Sequence, residues 1–252
     1  MFDALHAGGR IAVHSSEVQR CDALADHLVA TRLGGGTATV VVDTRDHAAA
    51  LNAAIRDRLV AAGAVDDRRV AVTREGQRLG AGDVIVTRRN DHDVGVANRE
   101  TWTVTRVYRD GRLTVDGSGR GGRELPADYV RGHVELGYAV TGYGAEGDTT
   151  FEAHLVLSEA TTAAAGYVAM TRGRVFNIAH LVAVDLDDAR EQWIAAFGRD
   201  RADLGPAAAG QAAARAAGGY RTPRPLSEVL ADLRAAWTDQ LTAHRHLQRL
   251  EE

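Results

Sequence analysis

Residues 137–185, GYAVTGYGAEGDTTFEAHLVLSEATTAAAGYVAMTRGRVFNIAHLVAVD, decide how this chain is read. They open with a short strand, Tyr138-Ala139-Val140-Thr141, which enters a loop punctuated by Gly142, Gly144 and Gly147. A second apolar strand follows at 154–157, and then a small-residue helix carrying Tyr167-Val168-Ala169-Met170-Thr171-Arg172-Gly173-Arg174. A third strand, 179–184, closes the unit. Arg172 and Arg174 therefore flank a glycine at a helix end between buried strands. Such planar, permanently charged groups suit the grip of a phosphate. For either arginine alone, a cation favoured by the helix C-terminus is the plainer account.

Outward from this stretch, the first eighty residues alternate strand and helix. Residues 10–14 read as a strand, and Ser15-Ser16-Glu17 as a helix start followed by Cys21, Leu24, Ala25 and Leu28 at helical spacing. Gly34-Gly35-Gly36 leads into strand 39–42, and Asp43-Thr44 caps a helix through Leu51, Ile55 and Leu59. Strand, cap and helix repeated in this order predict a parallel α/β architecture. From Gly82 the period changes to two. Strands at 83–87, 101–107 and 112–115, with an Asp110-Gly111 hairpin signal, predict a small β-barrel inserted in the α/β domain. After Asp185 the chain turns alanine-rich and helical, and a last helix carries Leu226, Leu230, Leu233, Trp237 and Leu241 on one face.

Composition bounds the function less sharply. The chain has 252 residues and a net charge of −4, which does not advertise nucleic acid. It contains no lysine, so a P-loop, whose lysine reaches the terminal phosphates of a nucleotide, cannot exist here. The one cysteine, Cys21, excludes an intramolecular disulfide and suits a reducing cytoplasm. No signal peptide or membrane span is expected. His92, His133, His154 and His180 lack the close spacing of zinc ligands and there is no second cysteine, so no metal site is expected.

Two of these segments resemble the last signature motifs of superfamily-one DNA helicases of the RecD-like, 5′-to-3′ branch. The family's T-x-H-K-S-Q-G-x-T aligns with residues 141–149, keeping Thr141, Gly147 and Thr149 and departing from Tyr143 to Glu146. Its Y-V-A-L-T-R-A-R aligns with residues 167–174 and is nearly complete. Thr44-Arg45-Asp46 with Leu51-Asn52 and Ile55-Arg56 resembles a third family motif, although a polar-faced surface helix explains those residues as well. Within the family, the helicase part of MobF-type conjugative relaxases is the most similar.

The resemblance implies a RecA-like parallel sheet domain (1–81 and 133–186), an SH3-like β-barrel insert (82–132) and a helical C-terminal extension (187–252). It implies the second motor domain of an ATP-dependent helicase. ATP and Mg²⁺ would be held only together with an N-terminal RecA-like partner domain, and the chain would be inactive alone. Arg172 would be catalytic as an arginine finger, and Gly147, Arg172 and Arg174 would bind nucleotide. Thr141, Tyr143 and Thr149 would contact single-stranded DNA, Tyr143 by stacking on a base. The alternatives are a stand-alone nucleic-acid-binding module, a gene remnant, or a dinucleotide-binding protein. Gly142-x-Gly144-x-x-Gly147 matches the dinucleotide fingerprint after a strand, with Glu159 as ribose-binding acid. Against the last stands the loop length, since a parallel crossover with its helix needs about ten to twelve residues or more.

Overall fold

Two side-chain caps set the first half of the fold. In the computed structural model, which describes residues 1–117, 121–145 and 149–199, helix α1 (Phe2–Ala7) leads into strand β1 (Ile11–His14). Ser16 then accepts a hydrogen bond from the Gln19 amide and starts α2 (Glu17–Leu33). Strand β2 (Ala38–Val42) is followed by Thr44, which caps α3 (Arg45–Ala61) through the His47 amide. Both caps fall where the sequence places them.

A two-stranded ribbon comes next, β3 (Asp66–Val72) and β4 (Arg78–Ala81). The strands that follow are β5 (Val84–Thr87), β6 (Thr101–Val107), β7 (Leu113–Gly117) and β8 (Gly121–Leu125). Helix α4 (Ala127–His133) and strand β9 (Val134–Leu136) complete this part. The order in the sheet is β8-β7-β6-β5-β9, antiparallel throughout. The predicted Asp110-Gly111 turn joins β6 to β7, with Gly111 at φ 89°.

The chain then returns to the first sheet through β10 (Ala139–Thr141), a 3₁₀ turn (Gly142–Ala145), β11 (Thr150–Val156), α5 (Ala163–Ala169), β12 (Gly173–Val182) and α6 (Leu186–Phe197). This sheet has the order β1-β12-β11-β2-β10 and every pairing is parallel. Alternation along β2 divides its residues between the two faces. Val40 and Val42 pack with Leu24, Leu28, Leu51, Ile55 and Leu59 of α2 and α3. Val41 packs with Leu155, Ala179 and Leu181 against Phe2, Ala169 and Trp193 of α1, α5 and α6. A five-stranded parallel sheet covered on both faces is the α/β architecture predicted from the strand–cap–helix repeat. No helix of the described residues is long and apolar enough to cross a membrane.

The insert differs from expectation in three respects. It contains the short helix α4, and β9 pairs with β5, so the expected boundary at residue 132 moves to the link between Leu136 and Ala139. Nor is it separate. Ile85, Trp102, Val104, Leu113 and Leu125 belong to the same buried cluster as the α2 and α3 leucines. Most of the expected C-terminal extension lies outside the described residues, including the Leu226–Leu241 stripe (226–241).

A buried polar knot fastens insert to sheet. The Arg56 guanidinium donates to Asp83 at 2.9 Å and to Asp67 at 2.7 Å. The Asp83 carboxylate also accepts from the Tyr138 hydroxyl and the Gly80 amide, each at 2.7 Å. Burial beside Asp83 pushes the Tyr138 hydroxyl well above its ordinary pKa, so it stays a donor. Arg56, together with Arg78, holds Asp67 below the usual carboxylate range. Four residues along α3, Asn52 donates to the carbonyls of Leu136 and Ala139 and accepts from the Ala139 amide. Gly82, at φ 98°, lets the chain turn into Asp83 where a Cβ would sit 2.3 Å from the Ala64 carbonyl oxygen. Asn52 and Arg56 are therefore buried joints, not members of a polar surface.

Candidate functional site

The two ends of the parallel sheet differ chemically. At the carboxyl ends, side chains satisfy one another. The Asp43 carboxylate accepts from the hydroxyls of Ser158 at 2.6 Å and Thr161 at 2.7 Å. Arg20, buried, donates to the Leu157 carbonyl at 3.0 Å and also binds Glu17. Thr141 ends β10 on this side, paired with Val42. It is followed by the 3₁₀ turn that holds Tyr143 and lies against α5, where a Cβ on Gly142 would touch Ala165. Among the described residues the turn opens no α-helix, and β11 begins at Thr150. This geometry removes the helix that a dinucleotide fingerprint requires.

At the amino ends lies an open groove of about 810 Å³ between β2, β11 and β12 on one side and β5, β6 and β7 on the other. Arg174, Thr149, Thr150, Phe151, Thr37, Thr39, Thr101, Thr103 and Arg32 all line it. Arg174 is exposed and forms no hydrogen bond or ion pair among the described residues. Arg32 donates to the Gly82 carbonyl at 2.9 Å. Beside the groove, Phe151 of β11 and Phe176 of β12 meet edge to face with centroids 6.1 Å apart. They keep 45% and 40% of their surfaces exposed. The Arg10 guanidinium stands 5.0 Å over the Phe176 ring and donates to the Val175 carbonyl. Arginines, hydroxyls and aromatic faces thus share one surface.

Sequence-predicted site residues divide between these ends. Thr149 and Arg174 come together in the groove. Thr141 does not, because the length of β2, roughly 15 Å at 3.3 Å per residue, separates the two ends. Gly147 lies outside the described residues. Arg174 is a strand residue rather than part of a helix end, since β12 starts at Gly173, six residues earlier than predicted. That early start depends on Gly173, where a Cβ would sit 1.9 Å from the Phe176 carbonyl oxygen. The Asn177 side chain closes this bend by accepting from the Gly173 amide and donating to its carbonyl.

Arg172 occupies the corner between α5 and β12. Its Nε donates to the Val168 carbonyl at 3.1 Å and Nη2 to the Thr171 hydroxyl at 3.3 Å, so it caps the C-terminus of α5. Its Nη1 has no partner among the described residues, and the half-exposed guanidinium can still meet an anion brought from outside. Sequence reasoning missed Phe151, Phe176 and Arg10. The available signal was two phenylalanines at the polar ends of strands whose apolar cores begin two or three residues later.

No family model matches the sequence. A stretch of 109 residues is 38% identical to "Uncharacterized protein Rv2311" of Mycobacterium tuberculosis (strain ATCC 25618 / H37Rv) and, equally, to "Uncharacterized protein MT2373" of strain CDC 1551 / Oshkosh. That match covers 41% of this chain and 63% of each relative. Among solved structures, the chain is similar to Pif1 helicase from Bacteroides in complex with ADP-AlF3 and ssDNA, at 16% identity and TM-score 0.46, covering 70% of this chain and 47% of that one. For Bacteroides Pif1 bound to ssDNA the values are 15% and 0.42, covering 64% and 45%. For Pif1 helicase from Candida albicans they are 11% and 0.41, covering 68% and 54%.

Proposed function

We propose that this chain is the second RecA-like motor domain of a superfamily-one DNA helicase, of the kind found in MobF-type conjugative relaxases. In this reading the β5–β9 sheet is its SH3-like insert, and the amino-end groove is its single-stranded DNA track. The observation that carries the proposal is the shared surface of Arg174, Thr149, Phe151 and Phe176. Arginine and threonine offer donors to phosphate oxygens, and exposed rings offer faces on which bases of any sequence can stack. A net charge of −4 is no obstacle, because Arg174 and Arg32 bring positive charge to the groove, where they outnumber Asp116.

ATP and Mg²⁺ belong to the partner domain in this reading. The chain has no lysine to build a P-loop, and the Asp43 carboxylate at the sheet's carboxyl end is already engaged by Ser158 and Thr161. What fits an approaching phosphate is Arg172, whose Nη1 is available beside a fixed Nε. The nucleotide supplies the energy of hydrolysis. This chain's part is to place one guanidinium against the developing charge and to hold the DNA strand. The isolated chain turns over no ATP.

Fluorescence anisotropy with a labelled oligo-dT tests the groove. Wild type should bind, with affinity falling as salt rises. Phe151→Ala should weaken binding by about 1–3 kcal/mol, the usual worth of a stacked base. Arg174→Ala should weaken it and also flatten the salt dependence by about one phosphate contact. Arg68→Ala, on the exposed β3 ribbon, should have no effect. Absence of binding at low salt, or equal affinity in all variants, overturns the assignment.

A further inference from the structure

We propose that His27, Glu152 and His154 form a binding site for one zinc-class divalent ion at the seam between α2 and β11. This revises the expectation, drawn from spacing along the chain, that the histidines hold no metal. The ligands are brought together by the fold. His27 lies on α2, while Glu152 and His154 lie two residues apart on β11 and so share the face opposite Phe151. The three donor atoms all lie within 4.8 Å of one another. His27 Nε2 is 2.7 Å from Glu152 Oε2, and His154 Nε2 is 3.6 Å from the same oxygen.

An ion pair between His27 and Glu152 accounts for the shorter contact only. It leaves His154 Nε2 buried without a hydrogen-bond partner, on a side chain that is 1% exposed and aimed at the carboxylate. A metal ion answers that orphaned nitrogen. Donors about 2.0–2.2 Å from a tetrahedral ion stand roughly 3.3 Å apart. The ion therefore needs the His27 ring to turn, opening its 2.7 Å contact with Glu152 while drawing closer to His154, since the three donors now lie within 4.8 Å of one another. The His27 side chain, 45% exposed, has room to do so. The donor set of two imidazoles and a carboxylate suits zinc, with a fourth position left to solvent.

The surroundings are ordered as an outer shell should be. His154 Nδ1 lies 3.0 Å from His180 Nε2, and His180 Nδ1 lies 3.0 Å from His14 Nε2. With Nε2 of His154 on the metal, its Nδ1–H donates to His180, whose Nδ1–H donates to His14. One choice of tautomers thus satisfies every contact along β11, β12 and β1. The Thr31 hydroxyl, one turn from His27, donates to Glu152 at 3.4 Å.

The test is a titration of the full chain, stripped with chelator, against Zn²⁺, with Co²⁺ as a spectroscopic stand-in. Wild type should take up one Zn²⁺ per chain with a rise in Tm, and the Co²⁺ form should show d–d absorption of four-coordinate strength. His27→Ala, at a half-exposed position that folding does not require, should weaken uptake by at least about tenfold, and Glu152→Gln should do the same. His92→Ala should leave it unchanged. Wild-type protein that is folded and takes up no stoichiometric Zn²⁺ overturns the proposal. So does uptake that His27→Ala reduces by less than tenfold, which would place the ion elsewhere.

Discussion

If the proposed function holds, replacing Arg172 by alanine, in a motor that joins this chain to an N-terminal RecA-like domain with a P-loop, is expected to lower ATP turnover by about 10³-fold or more. A guanidinium set against the transferring phosphoryl group stabilises charge that develops only in the transition state, and its removal is felt in kcat. Oligonucleotide binding should persist, because the groove lies on Arg174, Thr149 and the phenylalanines instead. The structure also sets what the same change does to folding. Arg172 caps α5 through one hydrogen bond to Val168 and a longer one to Thr171. Losing a half-exposed cap of this kind costs about 0.5–1.5 kcal/mol, a small fall in Tm and no unfolding. Steady-state turnover and a thermal melt of the same variant separate the two effects. Turnover within a few-fold of wild type, or a chain that no longer folds, would remove Arg172 from the proposed role.

Asp83→Ala is expected to destabilise the molecule by about 3–5 kcal/mol. Asp83 is 0% exposed and accepts from Arg56, Tyr138 and Gly80 at once. Its removal leaves a 5%-exposed guanidinium with only Asp67, and a buried hydroxyl with no acceptor but the one carboxylate now gone. The loss falls on the joint between the insert and the parallel sheet, so the core that the insert shares with α2 and α3 loosens. Urea unfolding measures it. Arg78→Ala, which breaks a largely solvent-exposed pair with Asp67, serves as the control and should cost at most about 1 kcal/mol. An Asp83→Ala penalty no larger than the control's would show that the knot does not hold the two parts.

Elements whose signals are local were legible in the sequence. Ser16 and Thr44 cap helices because a hydroxyl two or three residues before a helical stripe reaches the nearest free amide, which needs no knowledge of the rest of the fold. The same holds for the β6–β7 turn at Asp110-Gly111. What failed depends on partners far away in sequence. Arg56 and Asn52 read as ordinary polar helix residues, and only Asp83, Leu136 and Ala139 make them buried joints. The first half of β12 read as a helix end, because Arg-Gly-Arg carries no apolar alternation. Its pairing, Thr150 with Gly173 and Glu152 with Phe176, skips across a bulge that no local pattern announces. The Phe151–Phe176 pair and the His27–Glu152–His154 cluster are likewise products of strand register and of α2 packing on β11.

The central claim is that single-stranded DNA runs across the amino ends of β11 and β12. Photo-crosslinking of an oligonucleotide containing 5-iododeoxyuridine, with the attachment points mapped by mass spectrometry, tests it most directly. Stacked bases react with the ring they lie on, so the account predicts adducts at Phe151 or Phe176, lost when excess unlabelled oligo-dT competes. Adducts confined to the opposite end of the sheet, around Asp43, Ser158 and Thr161, would contradict it.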